Sequence, residues 1–306
     1  MAPYAARCHK LGGTEPLCKR TRMLGALAVS ALTLVAVLMG AWLYGSYRWN
    51  AGTRGLRARL DAARVPVRPR TIDSRELEGL PAPVGRYFRA VLEEGRPMVA
   101  GVRVRHTGTL NMGESTDRWR PFVSDQKVVT QRPGFDRNGR VTVRAGLPVL
   151  VHDAYVAGEG VLRASVFGLF PVVEMRDAGD VAEGALMRFF AEAAWYPTAL
   201  LPGQGVRWET GDVRSALATL AEGGLSVTML LTFDEQGLVD TVRAEARGRT
   251  VGGEVVPTPW HGRVWNYHER DGMLVPLDGE VAWLPPEGAK PYWRGYVTEI
   301  VYEAAR

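Results

Sequence analysis

These 306 residues imply a mainly β architecture of the α+β kind: an N-terminal transmembrane helix, then a large curved antiparallel sheet with a few helices packed on it. One uncharged apolar run near the N-terminus accounts for the membrane helix. Beyond residue 100, apolar and polar residues alternate at period two in segment after segment, cut by Gly, Pro, Asn and Asp. Connections are short and no βαβ rhythm appears, which argues against a doubly wound or barrel α/β enzyme. With 46% apolar and 23% charged residues the composition is that of a globular chain, which excludes disorder and low-complexity architecture.

Four segments are expected: a basic tail (1–22), a transmembrane helix (23–47), an Arg-rich juxtamembrane helix and linker (48–79), and an antiparallel β domain (80–306). From Met23 to Tyr47 no residue is charged. About 20 helical residues span about 30 Å, the thickness of a bilayer core. Trp42, Tyr44, Tyr47 and Trp49 cluster at the far end, where aromatic rings favour the headgroup region. A cleaved signal peptide has a shorter apolar core and a small-residue cleavage site, so an uncleaved single-pass anchor is expected. The flanking charges tie: Arg7, Lys10, Lys19, Arg20 and Arg22 on one side, Arg48, Arg54, Arg57, Arg59 and Arg64 on the other. Both cysteines, Cys8 and Cys18, lie in the tail. A thiol-bearing tail suits a reducing cytosol and places the cysteine-free domain outside it. Cys8-His9 with Cys18 fits no zinc-finger spacing.

Residues 1–70 carry a net charge of +10 and residues 71–306 one of −5. A mildly acidic domain lacks the basic footprint of a nucleic-acid binder. Between Arg54 and Arg70, Leu56, Leu60 and Ala63 recur at helical spacing, and the arginines are expected to lie near anionic headgroups. Leu80-Pro81-Ala82-Pro83 opens a helix whose Val84, Tyr87, Phe88, Val91 and Leu92 form one apolar face, stopped at Gly95. Ten to twelve strands are then expected. The first has Val102, Val104, His106, Gly108 and Leu110 on one face. Others lie near 119–131, 139–144, 148–156, 159–167, 205–210, 213–221, 225–234, 238–249, 260–269, 273–284 and 292–303. Asp234 to Gly237, Asp271-Gly272 and Asp278-Gly279 read as turns. One helix interrupts the strands, Val181 to Ala194, with Asp180 as its N-cap and Glu183 as capping-box partner. Leu186, Phe189, Phe190, Ala193 and Ala194 form its apolar face, and Trp195-Tyr196-Pro197 to Pro202 continues it.

No Gly-x-Ser-x-Gly, Ser-x-x-Lys or Gly-rich phosphate loop occurs. His106, His152, His261 and His268 show no ligand spacing. His261 and His268 would face opposite ways in an unbroken strand, so no metal or other cofactor is expected. Glu93-Glu94 and Glu183/Glu192 read as solvated faces. The recurrent signal is aromatic and basic. Eight tryptophans run from Trp49 to Trp293, and Arg supplies 34 of the 38 basic residues. These aromatics serve either as sheet core or as the lining of a concave apolar site whose mouth carries Arg and Trp.

Several stretches resemble an uncharacterised family of bacterial membrane-anchored proteins, catalogued as a domain of unknown function. They are Leu80-Pro-x-Pro-Val-x-Arg-Tyr-Phe88, Trp119-Arg-Pro-Phe122, Arg132-Pro-Gly-Phe135 and Asp153-Ala-Tyr-Val-x-Gly-x-Gly160. Leu186-Met-Arg-Phe189 and Ala194-Trp-Tyr-Pro-Thr-Ala-Leu-Leu-Pro202 follow. Gly248-Arg-Thr250, Pro257-Thr-Pro-Trp260, Gly272-Met273 and Gly279-Glu-Val-Ala-Trp283 complete the set, over residues 80–303. The resemblance implies a bacterial cell membrane and transfers no catalytic residue. An apolar helix on an antiparallel sheet is also similar, in architecture, to the half-barrel of periplasmic lipoprotein carriers.

The expected function is non-covalent binding of a lipid, lipoprotein or other apolar ligand. The lining is assigned to Leu186, Phe189, Phe190, Trp195, Tyr196, Leu200 and Leu201, and the rim to Trp119, Arg120, Trp260 and Trp293. On that assignment Phe190→Asp removes binding from a folded domain. The alternatives are a hydrolase-type enzyme using His152, Asp153, His261 or His268, or an envelope scaffold without a ligand.

Overall fold

A computed structural model describes residues 15–113, 116–144, 146–252 and 254–305. The Cys8 and His9 positions lie outside them. The chain forms two units, one ending at Arg48 and one running from Trp49 to Arg306. Helix α1 is Glu15–Ala62. Within the first unit its large apolar side chains, among them Leu24, Leu32, Leu38 and Trp42, are exposed. By length and composition it is a helix able to cross a membrane.

In the second unit thirteen strands form one antiparallel sheet in the order β6-β5-β4-β3-β2-β1-β13-β12-β11-β10-β9-β8-β7. Six precede helix α3 (Asp180–Ala191): β1 (Val99–Asn111), β2 (Trp119–Val129), β3 (Gly134–Arg144), β4 (Leu147–Val156), β5 (Glu159–Val166) and β6 (Phe170–Asp177). Seven follow it: β7 (Val206–Thr210), β8 (Ser215–Glu222), β9 (Leu225–Phe233), β10 (Val239–Val251), β11 (Glu254–Arg270), β12 (Met273–Trp283) and β13 (Lys290–Ala304). Each half is a meander, and β1 joins β13 to fuse them. In β1 the expected alternation holds: Val102, Val104 and His106 are buried, Arg103 and Arg105 exposed.

Helix α3 lies against β4, β5 and β6 of one half and β9 and β10 of the other, so the sheet curls round it as a half-barrel. Helix α2 (Ala82–Val91) packs on β8 and β12. A sheet must bury its apolar face against another layer. The most apolar segment outside α1 does this: Leu186, Phe189, Tyr196, Leu200 and Leu201 join Tyr87, Phe88, Phe135, Met229 and Val275 in one core cluster.

Three local expectations are corrected. The α3 cap is Asp177, whose Oδ1 accepts from the backbone N–H of Gly179, Val181 and Ala182; Asp180 is already helical and Gly179 holds the N-cap position. Asp278-Gly279 lies within β12, where Gly279 makes room for the Trp293 ring, 3.4 Å from where a Cβ would stand. Strand β6 was not expected; it is a sheet edge whose Phe170 and Val172 are exposed, so its alternation carries little burial signal.

The last turns of α1 belong to the second unit and dock on the outer face of the sheet. Trp49 stacks on His152 at 4.1 Å and donates to Asn138 Oδ1 at 2.9 Å. Thr53 Oγ1 shares a 2.7 Å hydrogen bond with His152 Nε2. Leu60 fills a second cluster with Val129, Ala154, Val156 and Val161. Arg57 pairs with Asp125 and the buried Asp136, Arg59 with Glu159, and Arg64 with Glu303. Three of the arginines expected at headgroups therefore face protein carboxylates. The reason is proximity: strands β2, β3, β5 and β13 bring these acids beneath the helix, and a nearby carboxylate outweighs a screened surface. Arg54, Arg68 and Arg70 are exposed.

Candidate functional site

The chemistry concentrates where β10 to β13 pass over α3. In β10, Val242 and Ala244 point inward, and strict alternation would turn residue 247 outward. A bulge at Glu245 and Ala246 shifts the register from Ala244–Trp260 to Arg247–Thr258. An extra residue reverses which face follows it. Arg247 is thereby buried and Arg249 half-buried on the same side. A second bulge, at Tyr292, falls where the pairing steps from Val281–Trp293 to Ala282–Pro291.

Trp260 and Trp283 are cross-strand partners. The Arg247 guanidinium lies 5.4 Å from the Trp260 ring and 5.5 Å from the Trp283 ring. Arg249 follows at 6.0 Å from Trp283, and Tyr292 stacks on Trp283 at 5.6 Å. The Tyr292 hydroxyl accepts from Trp260 Nε1 at 2.9 Å and from Arg247 Nη1 at 3.3 Å. The result is a layered run of indole and guanidinium planes, which attract through the ring quadrupole.

Three hollows follow this run. An open cleft of about 470 Å³ is lined by Met112, Asp117, Arg249, Thr250, Trp283 and Tyr292, with Lys290 and Pro291 at one side. A smaller hollow of about 100 Å³ shares Thr250 with it and is bounded by Asp153, Gly184, Arg188 and Arg247. A third of about 50 Å³ shares Arg188 and reaches Trp195, Trp260 and Trp293. Only the first has the volume of a small-molecule site; the third holds a few waters at most.

The inner charges are largely matched. Arg188 meets Asp153 at 2.8 Å. Arg137 pairs with Glu192, and Gln126 bridges them, accepting from Arg137 Nε and donating to Glu192, each at 2.8 Å. His106 is buried beside Trp195 and Trp293, and burial holds its imidazole well below the usual range, hence neutral.

The residues assigned from sequence separate into two groups. Leu186, Phe189, Phe190, Tyr196, Leu200 and Leu201 are core, each at most 3% exposed, and none borders any of these three hollows. They fill the concave face instead of lining an open one. Trp195, Trp260 and Trp293 border the smallest hollow. Trp119 is half-buried beside the cleft, under Arg294 at 4.7 Å and donating to Asp117 at 3.2 Å. Arg120, also half-buried, reaches none of the three.

The histidine alternative finds no common cleft. His152 faces outward to Trp49 and Thr53, and Asp153 faces inward to Arg188. Asn266 in β11 has a left-handed backbone angle of 61°, but the pairing with β12 keeps its register across it, and His261 and His268 stand about 20 Å apart by strand rise. No histidine lines any of the three hollows. Sequence reading missed Arg247, Arg249, Thr250 and Tyr292 as a set, because a bulge leaves no mark in composition. The available signal was Gly248-Arg-Thr250 itself.

Residues 78–302 match a family of unknown function, DUF6920. The chain belongs to that family. The DUF6920 region takes in every member of the arginine–tryptophan run, while the docked turns of α1 lie outside it. None of the curated proteins compared is similar to this chain. Among solved structures, the LolA superfamily protein NE2245 from Nitrosomonas europaea shows a remote likeness. It has 10% identity and a TM-score of 0.38, over 74% of this chain and 94% of its own.

Proposed function

We propose that the DUF6920 domain binds an amphiphile non-covalently in the open cleft, on a chain held at a bacterial cell membrane by α1, with the domain outside the cytoplasm. The observation that carries this reading is the cleft itself. Its volume of about 470 Å³ lies within the range of small-molecule sites, and it sets Met112, Pro291, Trp283 and Tyr292 against Arg249 and Lys290. Apolar burial supplies affinity, and the basic pair orients an anionic head. Trp119 stands beside the cleft through its hydrogen bond to Asp117, and Trp260 is the cross-strand partner of the Trp283 wall.

The test uses the full chain in a neutral maltoside detergent. Organic extraction followed by mass spectrometry is expected to recover a stoichiometric amphiphile, and cis-parinaric acid is expected to bind saturably in its place. Met112 is 45% exposed, so Met112→Glu leaves the fold intact while placing a carboxylate in the cleft. It is expected to weaken parinarate binding at least tenfold. An empty extract together with no saturable binding overturns the proposal.

A further inference from the structure

The inner hollow of about 100 Å³ contains a charge that the fold does not neutralise. Arg247 is 9% exposed, and among the described residues no carboxylate lies within 4.0 Å of its guanidinium. Its hydrogen bonds go to neutral oxygens, Nη1 to the Tyr292 hydroxyl and Nη2 to the Gly184 carbonyl at 3.0 Å. Nε has no partner. The two indole faces offset part of the desolvation. A buried charge without a counter-ion is still unfavourable. The other charged groups at the hollow do not supply the counter-ion. Asp153 is engaged by Arg188, and Asp180 is solvent-exposed at the start of α3.

The space in front of the free Nε is kept by a second unusual choice. Gly184 lies in the interior of α3, where glycine is less favourable than alanine. No left-handed backbone angle requires it there. A Cβ at Gly184 would stand 3.8 Å from Arg247 Nε and 3.9 Å from Nη2, against the edge of the guanidinium that carries the unpartnered Nε. Glycine thus leaves room where a methyl group would sit. A guanidinium edge with two N–H groups directed at one point is the geometry that receives two oxygens of an oxyanion.

We infer that Arg247, with the space left by Gly184, forms a receptor for a phosphoryl oxyanion, either free phosphate or the phosphate of a lipid headgroup. Thr250, shared with the open cleft, places the hollow next to the amphiphile site, but the receptor does not depend on that site being occupied. The anion would supply the missing counter-charge and take the free Nε hydrogen bond.

Inorganic phosphate and, in a parallel series, dihexanoyl phosphatidic acid are titrated into the full chain in neutral detergent, with the unfolding temperature as readout. A ligand that binds only the folded state raises it in a saturable manner. Saturation by both probes, or by phosphate alone, identifies a free-ion site; saturation by the phosphatidic acid alone identifies a headgroup site. In Gly184→Ala, a substitution favourable to the helix, either response is expected to weaken at least tenfold, while parinarate binding at the open cleft is unchanged. Arg247→Gln is expected to abolish it. If Arg247→Gln does not fold, Gly184→Ala decides. Absence of a saturable response to both probes, or a response that survives Gly184→Ala, overturns the inference.

Discussion

His152 and Asp136 sit on the outer face of the sheet beneath the docked turns of α1 and titrate in opposite senses. Burial lowers His152 to about 4 from its ordinary 6.5, with Arg163 and Arg57 adding to the effect. The neutral imidazole is the form that fits. Its contribution is complete above pH 6.5 and is lost as pH falls toward 4. Burial raises Asp136 to about 6 from 3.8, against the pull of Arg57. The folded protein here binds the extra proton, so stability from this group is greatest at low pH and is lost as pH rises from 3.8 through 6. Each shift corresponds to on the order of 3 kcal/mol between the two protonation states, and in the wild type they largely cancel. Asp136→Asn is therefore expected to lose stability more steeply than wild type between pH 6.5 and 4. His152→Gln is expected to gain on wild type over the same interval. Denaturant midpoints at three pH values check both, and parallel curves for all three proteins contradict the account.

Helix α3 and the turns after it behave as core. Phe190 is 3% exposed within the main cluster, so Phe190→Asp buries a carboxylate among apolar side chains. The domain is expected to unfold, contrary to the sequence-based expectation of a folded protein that has lost its ligand. Circular dichroism and gel filtration distinguish the two. The docked turns of α1 depend on Trp49 in a different way. Trp49→Ala removes the His152 stack and the Asn138 hydrogen bond, an expected loss of about 3 kcal/mol, with the strands retaining their pairing. An unchanged unfolding midpoint would show that these turns contribute nothing to the fold.

The folded unit begins at Trp49, well before the family match at residue 78. A chain starting at residue 71 would leave Val129, Ala154, Val156 and Val161 without Leu60, and Asp136 without Arg57. It is expected to aggregate or unfold at a lower temperature than one starting at Trp49. Light scattering and thermal melts of the two chains test this, and equal melts would remove the docked turns from the cooperative unit. The position of this boundary also bears on the anchor. The arginines after the apolar run that pair with Asp125, Asp136, Glu159 and Glu303 are already neutralised by the domain, so fewer remain to meet headgroups.

The period-two alternation of β1, the uncharged run of α1 and the apolar face of α3 were all legible in the chain, because each is a local pattern that one face of one element must satisfy. The family followed from short motifs spread over the whole domain. What tertiary structure decided was which way particular side chains point and what they meet. Arg247 turns inward only because β10 bulges at Glu245, and Trp260 and Trp283 flank it only because β11 and β12 pair in that register. Leu186 and Phe190 read equally well as lining or as core, since apolarity is common to both; the curl of the sheet onto α3 made them core. Arg57 and Arg59 read as membrane-facing until the acids of distant strands were brought beneath them. Hydrophobic pattern is written locally, whereas the partner of a charge is a property of the folded chain.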